Sequence, residues 1–211
     1  EIRDPDDVSR NTVARVKDIR GGRVELFYGA GDGVIVDDTN PLSTERVWSC
    51  DSLSSNLLPV GWSAYVGHPI EASEAYKTES LNCAVTRRYK PEDASPDDLS
   101  GAANMETASS THCFAPGMKL EAVDPLQPSL VRVATVVAIL RRNHLLVRFD
   151  GESSSRQRDS DVVVDIAVPP TYCFRADSAY ILPSGFCGVH DIELTTPTDD
   201  PFHWPTYAEE K

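Results

Sequence analysis

The feature that most constrains this chain is an internal repeat: Glu1-Ile-Arg-Asp4-Pro5 returns as Glu121-Ala-Val-Asp124-Pro125, 120 positions later. A strand–turn–strand pattern follows each copy. Residues 12–19 are rich in alternating and β-branched positions, Arg20-Gly21-Gly22-Arg23 turns the chain, and residues 24–28 return. Residues 130–140, a turn at 141–144 and residues 145–149 repeat that plan, so Asp4 precedes Tyr28 by 24 positions and Asp124 precedes Phe149 by 25. Further on, Leu57-Leu58-Pro59-Val60-Gly61-Trp62 parallels Ile181-Leu182-Pro183-Ser184-Gly185-Phe186. At roughly 100–150 residues per domain, the 211 residues allow one large domain or two small ones. Self-similarity at this period decides for two copies of one small β unit.

Between the copies, residues 76–113 are polar, carry Pro91 and Pro96, and end near a Ser/Thr run. They are expected to form an extended connector or arm, and no amphipathic helix of more than about three turns is predicted. The expected partition is a first unit at 1–75, this connector, and a second unit at 114–200. A loop-like insertion occupies 152–170, with a short strand at 162–168.

Charge sets the class of partner. Twenty Lys+Arg against 33 Asp+Glu leave a net charge of −13. Binding nucleic-acid phosphates needs clustered basic residues, and here they are scattered; a basic protein tail would be attracted instead. No apolar run reaches the ~18–20 residues that span a bilayer, since the most apolar segment is interrupted by Arg132. The five cysteines are odd in number and widely spaced, and no Asn-x-Ser/Thr sequon occurs. Both facts point to free thiols in a reducing compartment. Cys187 and His190 have ligand-like spacing but no matching second pair, so no metal or other cofactor is expected. With Glu1 rather than Met at the start and no signal peptide, the chain is expected to be a piece of a longer protein.

The string Phe114-Ala-Pro-Gly117-Met118-Lys119-Leu120-Glu121-Ala122-Val123-Asp124-Pro125, followed by Ala134-Thr135-Val136 and Phe149-Asp150-Gly151, closely resembles the MBT (malignant brain tumor) repeat. Trp62 followed by Gly67-His68-Pro69-Ile70 is similar to the same repeat's C-terminal part. Phe202-His203-Trp204-Pro205-Thr206-Tyr207 resembles the extended arm that opens a further repeat, making 201–211 the start of one. The resemblance implies an all-β fold: two tandem repeats, each a small Tudor-like five-stranded barrel with an extended arm packing on its neighbour. It also implies a nuclear, Polycomb-like chromatin protein that binds mono- or dimethylated lysine on histone tails and represses transcription, with further repeats in the same chain.

The chemistry of that recognition is simple. Aromatic faces attract a methylammonium cation, and a carboxylate accepts a hydrogen bond from the N–H that mono- and dimethyl-lysine keep and trimethyl-lysine lacks. Carried over from the family, the carboxylate falls on Asp124 and the aromatic wall on Phe149. The family's Asn falls on Gln127 and its Trp on Glu152, which removes the strongest cation–π face. Its Tyr falls in the rearranged loop, leaving Tyr172 or Phe174 as substitute walls. In the first copy Asp4 and Tyr28 match, the Trp position falls on Gly31, and Arg46 takes the Tyr position.

Structural roles compete with each of these. Phe149 and Tyr28 end core strands, Asp124 before Pro125 suits a side-chain-bonded turn, and Trp62 and Phe186 suit core wedges. The acidic clusters suit solvated surface. The competing function is therefore a scaffold without a cage that binds other proteins. Catalysis has no support, because the sequence contains no Gly-x-Ser-x-Gly, His-Glu-x-x-His or P-loop. Gly29-Ala-Gly31-Asp-Gly33 precedes a strand-like segment rather than a helix, so it is expected to be a hinge.

Overall fold

The computed structural model describes residues 1–29, 46–99, 112–151, 169–198 and 202–209. Glu152, Gly31 and the expected strand at 162–168 lie outside them. The chain divides into two compact units, Glu1–Ser109 and Ser110–Lys211.

The first unit contains β1 (Ile2–Arg3), β2 (Asn11–Thr12), β3 (Ala14–Arg20), β4 (Arg23–Tyr28) and β5 (Arg46–Asp51). After these come α1 (Trp62–Val66), β6 (Ile70–Glu71) and α2 (Glu74–Thr86). The meander β3-β4-β5 is antiparallel, and β2 lies between β1 and β6. Alternate residues of β4 point inward, so Val24, Leu26 and Tyr28 join Ile2, Cys50 and Leu57 in one core cluster. The β3–β4 turn is Gly21-Gly22, both at positive φ (53° and 83°), the backbone a two-residue hairpin requires.

The second unit contains β7 (Lys119–Val123), β8 (Val131–Leu140), β9 (His144–Phe149), β10 (Tyr172–Arg175) and β11 (Ile181–Leu182). They are followed by α3 (Phe186–Val189), β12 (Leu194–Thr195) and α4 (Trp204–Glu209). Five antiparallel strands run in the order β10-β9-β8-β7-β11, and β12 pairs parallel with β8. Leu120, Ala122, Val133, Leu145, Val147 and Phe149 fill the core.

The 120-residue offset holds at the level of hydrogen-bonded register. Ile2 pairs Thr12 as Ala122 pairs Arg132, and the bulge between Val16 and Asp18 recurs between Val136 and Ala138. The single extra residue before Phe149 lies in the turn. Arg20 faces Arg23 across two residues, whereas Leu140 faces His144 across three, with Arg142 and Asn143 at positive φ.

Two expectations are corrected. Part of the polar connector is a helix: α2 starts at the Ser73 cap, whose hydroxyl accepts from the Tyr76 N–H at 3.2 Å, and buries Ser80, Cys83 and Ala84. Its buried stripe is made of small residues, so hydrophobic periodicity does not reveal it. The terminal arm is likewise helical rather than extended over Trp204–Glu209. Pro205 is compatible with this because it sits in the first turn, where its missing N–H needs no partner.

Each unit is tied together by one buried glutamate. The Glu1 carboxylate accepts from Gly61 N (3.0 Å), Ser63 N (2.8 Å), Ser63 Oγ (2.6 Å) and Ser80 Oγ (3.0 Å). Its counterpart Glu121 accepts from Gly185 N (2.7 Å), Cys187 N (2.8 Å) and Trp204 Nε1 (2.6 Å). In both, a carboxylate from within or just before the first strand of the unit satisfies the open N–H groups at the start of a short helix and holds a second helix. Burial and the adjacent Glu121 push the Cys187 thiol up to about 12, so it stays protonated and inert.

Candidate cation-binding site

In the second unit, Asp124 leaves β7 just before Pro125. Its Oδ1 accepts from the N–H groups of Leu126 (2.8 Å) and Gln127 (3.3 Å), forming the side-chain-bonded turn that Asp favours. Its own N–H donates to the Leu130 carbonyl at 3.0 Å, closing the loop to β8. Oδ2 accepts from Arg132 Nη1 at 3.1 Å. The same guanidinium lies over the Phe149 ring, with Cζ 4.7 Å from the centroid. Tyr172 backs Phe149, their centroids 4.9 Å apart at 55°.

Asp124, Phe149 and Tyr172 therefore come together, with an arginine clasped between carboxylate and ring. Side-chain exposure is 18% for Arg132 and 5% for Asp124, which limits solvent screening of the pair. A charge-assisted hydrogen bond of this kind is worth about 1.5–3 kcal/mol, and a cation–π contact adds about 0.5–2 kcal/mol. What the arrangement does chemically is hold one organic cation.

The other expected site residues fall elsewhere. Gln127 meets Asp124 through its backbone, and its side chain is exposed. Phe174 is buried two residues along β10, opposite Leu145. In the first unit, Asp4 Oδ1 accepts from Asp6 N at 2.9 Å and Oδ2 from Arg10 Nε at 3.0 Å. Arg10 also reaches Glu71 at 2.5 Å and Asp7 at 3.7 Å, so it joins three carboxylates. Tyr28 packs in the core cluster, with Arg46 as its strand partner.

Three groups were missed in the sequence. Arg132 is visible there only as an interruption of an apolar strand, yet a lone cation eight positions after Asp124 was a signal. Glu1 and Glu121 share the repeat offset, which marks them as matched structural anchors. A further cluster surrounds Asp150, which accepts from Lys119 Nζ (2.8 Å), Thr135 Oγ1 (2.7 Å) and the Tyr207 hydroxyl (2.7 Å). Lys119 also lies over the Tyr207 ring at 4.7 Å, so this cluster fastens α4 to the barrel. Among the described residues, no group of three or more His, Cys, Asp or Glu could hold a metal ion, and no helix is long and apolar enough to cross a membrane.

Comparison with known proteins agrees with this architecture. The chain is 30% identical over its whole length to MBT domain-containing protein 1 of Xenopus laevis, of which it covers 29%, and equally to the Homo sapiens protein of that name. It is 28% identical to the Polycomb protein Sfmbt of Drosophila melanogaster over 98% of this chain and 16% of that protein. It thus spans less than a third of these relatives. A solved structure of the four MBT repeats of Drosophila melanogaster Sfmbt, in complex with the peptide RHR(me)K VLR, superposes with a TM-score of 0.74. That match covers 98% of this chain and 44% of the other, at 28% identity. The mbt repeat family model matches residues 1–77 and 118–201, the two segments that share register. The chain belongs to the MBT repeat family.

Proposed function

We propose that this chain is a non-catalytic, nuclear chromatin module of a transcriptional repressor, which binds basic histone tails and takes a mono- or dimethylated lysine at Asp124 and Phe149. The observation that carries this reading is the convergence of the Asp124 carboxylate and the Phe149 face on one cation. The relative Sfmbt, solved with a basic methyl-lysine peptide, supports the ligand class, and the −13 charge favours a basic tail. Mono- and dimethyl-lysine can give Asp124 the hydrogen bond it now receives from Arg132; trimethyl-lysine cannot. The first unit serves as a positioning repeat, because Arg10 ties Asp4 into a network with Asp7 and Glu71.

A second reading, a scaffold that binds partner proteins without reading methylation, is favoured by one observation: Phe149 is 1% exposed. Calorimetric titration with unmethylated, mono-, di- and trimethyl-lysine histone peptides separates the two. The reader predicts selectivity for the lower methylation states, lost in Asp124→Ala and retained in Asp4→Ala. No binding at millimolar peptide leaves the scaffold.

A further inference from the structure

We infer that Arg132 is a built-in competitor for the Asp124–Phe149 site, a residue that keeps it closed and sets which ligands can open it. The inference rests on the methyl-lysine reading and deepens it. Arg132 makes the two contacts a methylated lysine would need, a hydrogen bond to Asp124 Oδ2 at 3.1 Å and a cation over Phe149 at 4.7 Å. A ligand cation and this guanidinium cannot occupy that space together.

The fold itself does not require an arginine there. Thr12 holds the same register position in the first unit, paired with Ile2 as Arg132 is paired with Ala122. The backbone at Arg132 is fixed on both sides, by Ala122 of β7 and Thr195 of β12. Opening the site is therefore a side-chain movement, and the Arg132 side chain already reaches solvent over part of its surface. The closure is a hydrogen-bonded ion pair whose cation lies over a ring. It yields only to a ligand that supplies an equivalent cation and additional contacts from the rest of its tail. Unmethylated lysine, a compact and strongly hydrated point charge, loses this competition, so Arg132 raises the threshold for weak cations and narrows selectivity.

The test compares wild type, Arg132→Thr, Arg132→Lys and the double variant Asp124→Ala/Arg132→Thr by calorimetry. The ligands are unmethylated, dimethyl and trimethyl forms of one basic histone-tail peptide, and thermal melts verify folding. Arg132→Thr is expected to bind the dimethyl peptide at least about tenfold more tightly than wild type, with the gain erased in the double variant. Arg132→Lys, whose more strongly hydrated ammonium closes the site less well, falls between wild type and Arg132→Thr. Equal or weaker binding by Arg132→Thr overturns the inference. The two readings fail separately. Binding by Arg132→Thr but not by wild type leaves the competitor standing and removes methyl-lysine reading from the native chain. Wild-type binding that Arg132→Thr does not improve does the reverse. Should Arg132→Thr not fold, the guanidinium proton resonances of wild-type Arg132 decide. Their release from the ring on adding dimethyl peptide supports the competitor, and an unchanged position at saturation overturns it.

Discussion

The two repeats share the register of their first strands and the bulge that follows, yet they use their matched carboxylates differently. Asp4 is wrapped by Arg10, a loop residue that also serves Glu71 and Asp7, and the register position of Arg132 is held there by the uncharged Thr12, opposite Ile2. Asp124 is met by Arg132 from the strand itself, and that cation extends over an aromatic face. A shared scaffold thus supports an aspartate paired with a loop arginine in one unit and, in the other, an aspartate paired with a strand arginine that lies over a ring. Two positions separate them: Arg10 against Leu130, and Thr12 against Arg132.

The largest effect expected from breaking this comparison lies at the paired glutamates. Glu121→Ala strands the N–H groups of Gly185 and Cys187 and the Trp204 indole, at about 3 kcal/mol or more in total. It should lower the melting temperature of the second unit and shift Trp204 fluorescence toward that of an exposed indole. Glu1→Ala should cost less, because two of its partners are the rotatable hydroxyls of Ser63 and Ser80.

A smaller contrast separates the equivalent glycines. Gly61 and Gly185 both have φ of 88°, so alanine is strained at either, by about 1–2 kcal/mol. At Gly61 the new Cβ would also lie 2.9 Å from the Ser80 carbonyl oxygen and 3.0 Å from the Ala84 nitrogen, both backbone atoms of α2. At Gly185 no described atom lies within 4 Å. Gly61→Ala should be the more destabilising in denaturant titration, and equal costs would show that α2 yields freely.

The smallest difference is in pH response. His144 opens β9 at the position Arg23 occupies in β4. Burial lowers its pKa from 6.5, against hydrogen bonds to the backbone at Arg142 and Arg141 that raise it. Nearby Arg175 adds to the lowering, and Asp177 opposes it. The unfolded chain therefore takes up this proton first, and the second unit loses stability as pH falls below about 6.5. His144→Gln should flatten the unfolding midpoint between about pH 7 and pH 5, whereas a slope unchanged by the substitution would dismiss this histidine as its source.

Much of this fold was readable because it is written twice. The Asp-Pro offset foretold two copies of one β unit with matching hairpins, while the shared bulge and the place of the extra residue, in the turn before His144, came from the strand pairing. The α2 helix was hidden because its inward face is Ser80, Cys83 and Ala84, residues too small or polar to create an apolar stripe. Ser73 with Glu74 was the available signal. At the site, Asp124 and Phe149 could be placed from the family pattern, but their occupant could not. Whether an arginine in a strand points to solvent or folds over a ring depends on which strand lies beside it, and that pairing is a tertiary fact.

The most direct test of the account is nuclear magnetic resonance of the Arg132 guanidinium protons in the free, isotope-labelled chain, assigned with Arg132→Lys. Ring-current-shifted resonances that exchange slowly with water, and lose both properties in Asp124→Ala, are the expected result. Resonances at the position of free arginine, unchanged by Asp124→Ala, would contradict it.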